Sequence, residues 1–198
     1  MAEWRGYEPV SALQLEYSLV ERQIEHEFVP LGIAHDMGIM VWSPLASGFL
    51  SGKYRAQDGA ASGSGRLEVM AGSTNPAFAK ATERNWTILL ALEEVAAAVG
   101  RPMAEVALSW VVNRPGVASV IVGATRKDQL EANLRALALE LPADLTAKLD
   151  TVSKPGTTFP YSFFDGEIQS MVHGGAMVGG KPPSYAQTVA PNAAAAGR

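Results

Sequence analysis

The chain has 198 residues, a length at which one compact domain buries about 70% of its unfolded surface, so core size excludes little. Its 16 Lys and Arg against 20 Asp and Glu leave a formal charge of -4, which excludes the broad basic footprint of a nucleic-acid binder. The absence of cysteine excludes a disulfide framework, a thiol nucleophile and a Cys-based zinc site, and suits a reducing compartment. The opening MAEWRGYEPVSA has neither the basic start nor the apolar run of a signal peptide, and no stretch reaches the ~20 apolar residues of a membrane span. A soluble, cytoplasmic protein is expected, with no nucleic-acid or membrane partner.

In chain order, ALQLEYSL (Ala12 to Leu19) alternates Leu13, Leu15 and Tyr17 against Gln14, Glu16 and Ser18, the period of a strand. A helix is expected from Ile24 to Met37, stopped by Gly38, and IMVWS is a second strand. Residues Gln57 to Asn75 are rich in Gly, Ala and Ser and read as a long functional loop. Between Pro76 and Val99, Trp86, Leu89, Leu90, Leu92 and Val95 recur at helical spacing, and Gly100 ends the pattern. Pro102 opens another helix, with Val106, Leu108, Trp110 and Val111 on a buried surface and an end before Pro115. ASVIVGA is the third strand. RKDQLEANLRAL then predicts an amphipathic helix with Leu130, Leu134 and Leu137 on one side, and PADLTAKLDTV one more. GTTFPYSFF is aromatic enough to need covering. The domain is therefore drawn over residues 1–164, and residues 165–198 as a poorly ordered tail biased to Gly, Pro and Ala.

Three strands alternating with helices imply parallel pairing, in an open α/β sheet or a closed eight-stranded barrel, and periodicity does not choose between these. In VWSPLASGFLSGKYR an apolar strand runs into Pro44 and then crowds Gly48, Gly52 and Lys53 together, a composition suited to a phosphate. Each residue also has an ordinary reading. Gln14 could be a solvated strand position, Trp42 a core residue, SGKYR a solvated basic loop and RKDQ a plain helix start. His26, His35 and His173 do not cluster, so no metal site is expected.

Taken together, QLEYSL, ERQIEHEFVPLGIAHDMGIMVWSPLASGFLSGKY and SVIVGATRKDQLEANL resemble the aldo/keto reductase family, from about Gln14 to Leu149. The resemblance implies an α/β fold, the C-terminal portion of a (β/α)8 barrel with strands six to eight present and strands one to five absent from this chain. It implies NADP held at the C-terminal ends of the strands, without a Rossmann glycine fingerprint. Gln14 would meet the nicotinamide carboxamide and Trp42 its ring. Ser43, Pro44, Leu45, Ala46 and Gly48 would turn against the pyrophosphate beside Lys53. Gly123, Thr125, Arg126, Gln129 and Asn133 would hold the adenosine. A cation at a helix start is disfavoured by the helix dipole, and a 2′-phosphate would explain Arg126, which argues for NADP over NAD. Ala132 departs from the acidic residue that relatives of this type often place toward the adenine. The family reduces an aldehyde or ketone with a Tyr proton donor supported by Lys, Asp and His on the first four strands, so no catalytic residue is assigned here. Three functions stay open: the cofactor-binding part of an NADP-dependent oxidoreductase, a non-catalytic NADP-binding or regulatory module, and a truncated remnant without activity. Unpaired sheet edges predict self-association.

Overall fold

The computed structural model describes residues 2–57, 60–62, 65–70, 73, 75, 78–164, 168, 171, 172 and 174. The chain divides into two compact units, Met1–Pro155 and Gly156–Arg198. In the first, strands β1 (Ala12–Glu16), β2 (Gly38–Trp42) and β5 (Val117–Val120) form a parallel sheet in the order β1-β2-β5. Gln14 pairs with Met40, Glu16 with Trp42, and Met40 with Ser119. A short antiparallel hairpin, β3 (Arg55–Gln57) with β4 (Ala60–Ser62), stands apart from that sheet. Helices α1 (Ala2–Arg5), α2 (Phe28–Ala34), α3 (Arg66–Val69), α4 (Glu83–Val99), α5 (Met103–Val112), α6 (Lys127–Arg135) and α7 (Ala143–Ser153) complete the unit.

The strand pattern sorts the two faces of the sheet. Ile39 and Val41, fully buried, share a core with Ile88, Leu92 and Val95 of α4, Val106 and Val111 of α5, and Leu149 of α7. The opposite face carries Gln14, Trp42 and Ser119, all exposed. Pro102 sits just before α5, which turns 98° from α4 across the Gly100–Pro102 break. Gly100 closes α4 with φ 62°, a left-handed position that a Cβ would strain. No single helix among the described residues is long and apolar enough to cross a membrane.

Several expected elements differ. The helix foreseen from Ile24 to Met37 is a 3-10 turn at Gln23–Glu25 followed by α2. Pro30 explains the break, because its ring would meet the carbonyl of His26 in a continuous helix, whereas a proline in the first turn is tolerated. Helix α4 begins only at Glu83, where Thr82 caps it by accepting the Asn85 N–H at 3.2 Å. The stretch read as a long functional loop from Gln57 contains β4, paired with β3, and α3. Strand β5 ends at Val120, although the Ile121 N–H still donates to Val41 at 2.8 Å. Leu130 and Leu134 of α6 and Leu137 of the 3-10 turn after it, expected on one side of an amphipathic helix, are 44%, 53% and 65% exposed, an apolar side without cover among the described residues. In the second unit, Phe159 and Phe163 meet edge to face, 5.7 Å between centroids. The expected tail, 165–198, falls almost wholly outside the described residues.

One polar cluster joins the start, middle and end of the first unit. Arg22 grips Glu25 through two nitrogens at 2.8 and 2.9 Å and donates to Ser153 Oγ at 2.6 Å. Tyr17, nearly inaccessible, donates its hydroxyl to Glu25 at 2.6 Å. Burial, and then the neighbouring Glu25 carboxylate, push the Tyr17 phenol well above its ordinary value. A raised pKa means that this contribution is whole below the unfolded value of about 10 and is lost as pH rises through the folded one. The melting temperature is therefore expected to fall above about pH 10, and less steeply in Tyr17→Phe. Thermal melts across that range check this, and equal slopes in the two proteins would remove Tyr17 as the cause.

Candidate functional site

Parallel pairing sends the C-terminal ends of β1, β2 and β5 to the same edge of the sheet, so the segments that follow β2 and β5 leave from one side. At that edge Trp42 ends β2 with 38% of its surface exposed, and Gln14 lies on the same sheet face, one alternation before Glu16.

The turn after Trp42 is held in an uncommon conformation. Ser43, Ala46 and Ser47 have φ of 53°, 48° and 58°, and Gly48 has 87°. Only the last is glycine. Left-handed φ at other residues costs about 1–3 kcal/mol each and collects at ligand clamps. What imposes it is local bonding and burial: Ala46 N donates to Ser43 O at 2.9 Å, Gly48 N to Leu45 O at 2.9 Å, and Ser51 Oγ to Gly48 O at 2.7 Å. Pro44 and Ala46 are buried, Leu45 half-buried, and Phe49 packs on Trp86 with 4.8 Å between centroids. Sequence reading missed Ser47, since nothing in a serine announces positive φ.

Lys53 is drawn against this turn. A Cβ on Gly48 would lie 2.9 Å from Lys53 Cε and 3.0 Å from Nζ, and one on Gly65 would lie within contact of the same ammonium. The two glycines therefore let two stretches of backbone close on one cation, a donor set that fits a phosphate better than an apolar ligand. The ammonium also stands 5.1 Å from the Tyr54 ring centroid, and Tyr54 Oη accepts the Leu67 N–H at 3.1 Å, fastening α3 beside it.

The second segment lies at the start of α6. Gly123 is exposed, with no neighbour within 4 Å of an added Cβ. Thr125 donates through its N–H and its hydroxyl to Gln129 Oε1, at 3.0 and 3.2 Å, and Asn133 is half-buried one turn on. Arg126 is exposed, and it already has a partner: Nε and Nη2 reach the two Asp128 oxygens at 3.0 and 3.1 Å. That hydrogen bonding holds Arg126 above and Asp128 below their ordinary pKa values. Asp128, in the first turn where the helix dipole favours an anion, thus supplies a reason for Arg126 that the sequence argument overlooked. No group of three His, Asp or Glu able to hold a metal occurs among the described residues.

Sequence reasoning also passed over Glu16 and Lys80. Lys80 is 4% exposed, and its ammonium lies 3.1 Å from Glu16 Oε1 and 4.0 Å from Glu21 Oε2. A carboxylate alternating with Gln14 was visible in the strand; its partner, 64 residues away, was not.

Comparison with known proteins agrees with this architecture. The model of the aldo/keto reductase family matches residues 1–154. The chain is 35% identical over 153 residues to a protein of Oryza sativa subsp. japonica named as a probable voltage-gated potassium channel subunit beta, covering 75% of this chain and 46% of the relative. A protein of the same name in Arabidopsis thaliana is 37% identical over 127 residues, covering 63% and 37%. The uncharacterized oxidoreductase YrpG of Bacillus subtilis (strain 168) is 29% identical over 163 residues, covering 82% and 46%. The chain spans less than half the length of each of these three relatives.

Proposed function

The chain belongs to the aldo/keto reductase family, and from that premise we propose that it forms the NADP-binding part of a cytoplasmic oxidoreductase that reduces an aldehyde or ketone. The nicotinamide, when bound, supplies the hydride. Gln14 would orient its carboxamide, whose donor and acceptor suit one amide side chain, and Trp42 would offer the ring a flat apolar face. Ser43, Pro44, Leu45, Ala46 and Gly48 would wrap the pyrophosphate, with Lys53 supplying charge. Gly123, Thr125, Arg126, Gln129 and Asn133 would take the adenosine and its 2′-phosphate. The observation that carries the reading is the turn in which Ser43, Ala46, Ser47 and Gly48 are left-handed, closed on the Lys53 ammonium. No residue of this chain is proposed as the proton donor. By resemblance, the catalytic Asp, Tyr, Lys and His belong to the first four barrel strands, and we propose that this chain lacks strands one to five.

The open edges of β1 and β5 and the exposed leucines of α6 support pairing with further strands, in a second copy or in polypeptide carrying the rest of the barrel. A second reading, a regulatory module that binds NADP without turnover, is favoured by the two relatives named as channel subunits.

Titration calorimetry with NADP and NAD tests the cofactor. The wild type is expected to prefer NADP and to bind more weakly as salt rises, because both phosphate contacts are exposed. Arg126→Ala should lower NADP affinity about tenfold and leave NAD nearly unchanged, since NAD has no 2′-phosphate. Equal losses would take Arg126 out of the 2′-phosphate site, and no binding of either cofactor would sink the proposal.

A further inference from the structure

We propose that Lys80 and Glu16 form a charge pair beside the nicotinamide that sets the balance between its oxidised and reduced forms; this rests on the NADP-binding reading above. Glu16 is the direct cross-strand partner of Trp42, and it follows Gln14 on the same face of β1. A nicotinamide lying on Trp42 with its carboxamide at Gln14 therefore has the Glu16 carboxylate as its nearest fixed anion on β1.

That carboxylate is not free to act as a full charge. Its side chain is 15% exposed, and the ammonium of Lys80, whose side chain is 5% exposed, stands 3.1 Å away. A buried lysine is rare without a partner, and this one has come from the segment before α4 to reach the end of β1. Its own backbone carbonyl is tied down by the Asn85 side chain at 3.0 Å, which fixes where the stem begins. Two further charges flank the pair. Glu21 lies 4.0 Å from Lys80, and Arg84, which interacts with Glu21, donates to the carbonyls of Val20 and Ser153 at 3.5 and 2.7 Å.

The consequence follows from the charge of the ring. Oxidised nicotinamide is a cation and reduced nicotinamide is neutral, so an anion beside it favours the oxidised form and a cation the reduced form. Within a partly buried site such a charge is screened less than in water. Lys80 offsets Glu16, and each residue removed alone should tip the balance in its own direction. A purely structural tie between the segment before α4 and β1 would weaken both forms together.

The test measures dissociation constants for NADP+ and NADPH by calorimetry and by NADPH fluorescence, on the full chain. Lys80→Gln should improve the ratio of NADP+ to NADPH affinity about three- to tenfold, and Glu16→Gln should shift it the opposite way. Lys80→Arg should return the wild-type ratio. Glu16→Gln is nearly isosteric, and carries its own signed expectation if Lys80→Gln does not fold. Parallel losses for both cofactor forms, or an unchanged ratio, would overturn the proposal while leaving NADP binding intact. A wild type that binds neither form would overturn the cofactor reading itself, and this inference with it.

Discussion

Replacing Trp110 with alanine is expected to cost the first unit about 3–5 kcal/mol, the range for deleting a buried indole. The residue is 2% exposed in the last turn of α5, and three side chains stand against its ring. Tyr17 meets it edge on at 5.7 Å, while the Arg22 and Arg114 guanidinium carbons stand 5.1 and 4.7 Å from its centroid. Its Nε1 donates to Asp150 Oδ1 at 2.9 Å, and Arg114 donates to both Asp150 oxygens at 2.9 and 3.0 Å. Alanine would leave a cavity, remove the ring beside which both guanidinium groups stand, and take one donor from Asp150, which keeps Arg114. Trp110→Phe keeps most of the apolar ring and loses the N–H, so about 1.5–3 kcal/mol is expected, the range for a hydrogen bond to a charged group. Urea unfolding of the three proteins decides it. A loss below about 1.5 kcal/mol for alanine would mean that the surroundings collapse into the space, and that the cluster is not the tie it resembles.

The same cluster shows what the sequence could and could not reveal. Trp110 was legible as core from its spacing with Val106 and Val111, because burial follows helical period. Its ligation by Arg22, Arg114 and Asp150 was not, since those residues are scattered over the chain and no local pattern encodes their meeting. The first sheet strand was legible because a period of two survives in a short stretch, and the other two as short apolar runs. The α2 break was legible in principle at Pro30, and α4 began late because the Thr82 cap outranks the looser signal of Pro76. At the candidate site, Gln14, Trp42 and Lys53 were named from the family resemblance, Lys53 also from the glycines crowded before it. Ser43 and Ala46 were named with them, but the positive φ of Ser43, Ala46 and Ser47 was not legible, because non-glycine residues reach it only where packing enforces it, and packing is not local. At Arg126 the dipole argument left out a nearer anion, since Asp128, two residues on, already pairs with the guanidinium.

Removing Arg101 and Arg135 together is expected to cost about 3–5 kcal/mol, far more than the sum of the two single replacements, because only the double variant leaves Glu105 buried without a partner. Glu105, in the first turn of α5, is 1% exposed. Arg101 Nη2 approaches Oε2 at 2.8 Å and Arg135 Nε donates to Oε1 at 2.9 Å. The Arg101 contact is close but poorly aligned, as Oε2 accepts no regular hydrogen bond, so its attraction is chiefly coulombic. Both arginines are more than a third exposed, and each alone would be worth about 1 kcal/mol or less as an ordinary surface pair. Either one suffices to keep the carboxylate neutralised, which is why Arg101→Ala and Arg135→Ala should each be mild. Once both are gone, the carboxylate must take up a proton or draw water into the contact between α5 and α6. A double-mutant cycle by urea unfolding measures the excess directly. An additive result would show that water already reaches Glu105 and that α6, whose leucines are exposed, is not anchored through this carboxylate. Adding Glu105→Gln to the double variant should recover most of the loss, since the stranded charge and not the missing arginines is the source of the cost.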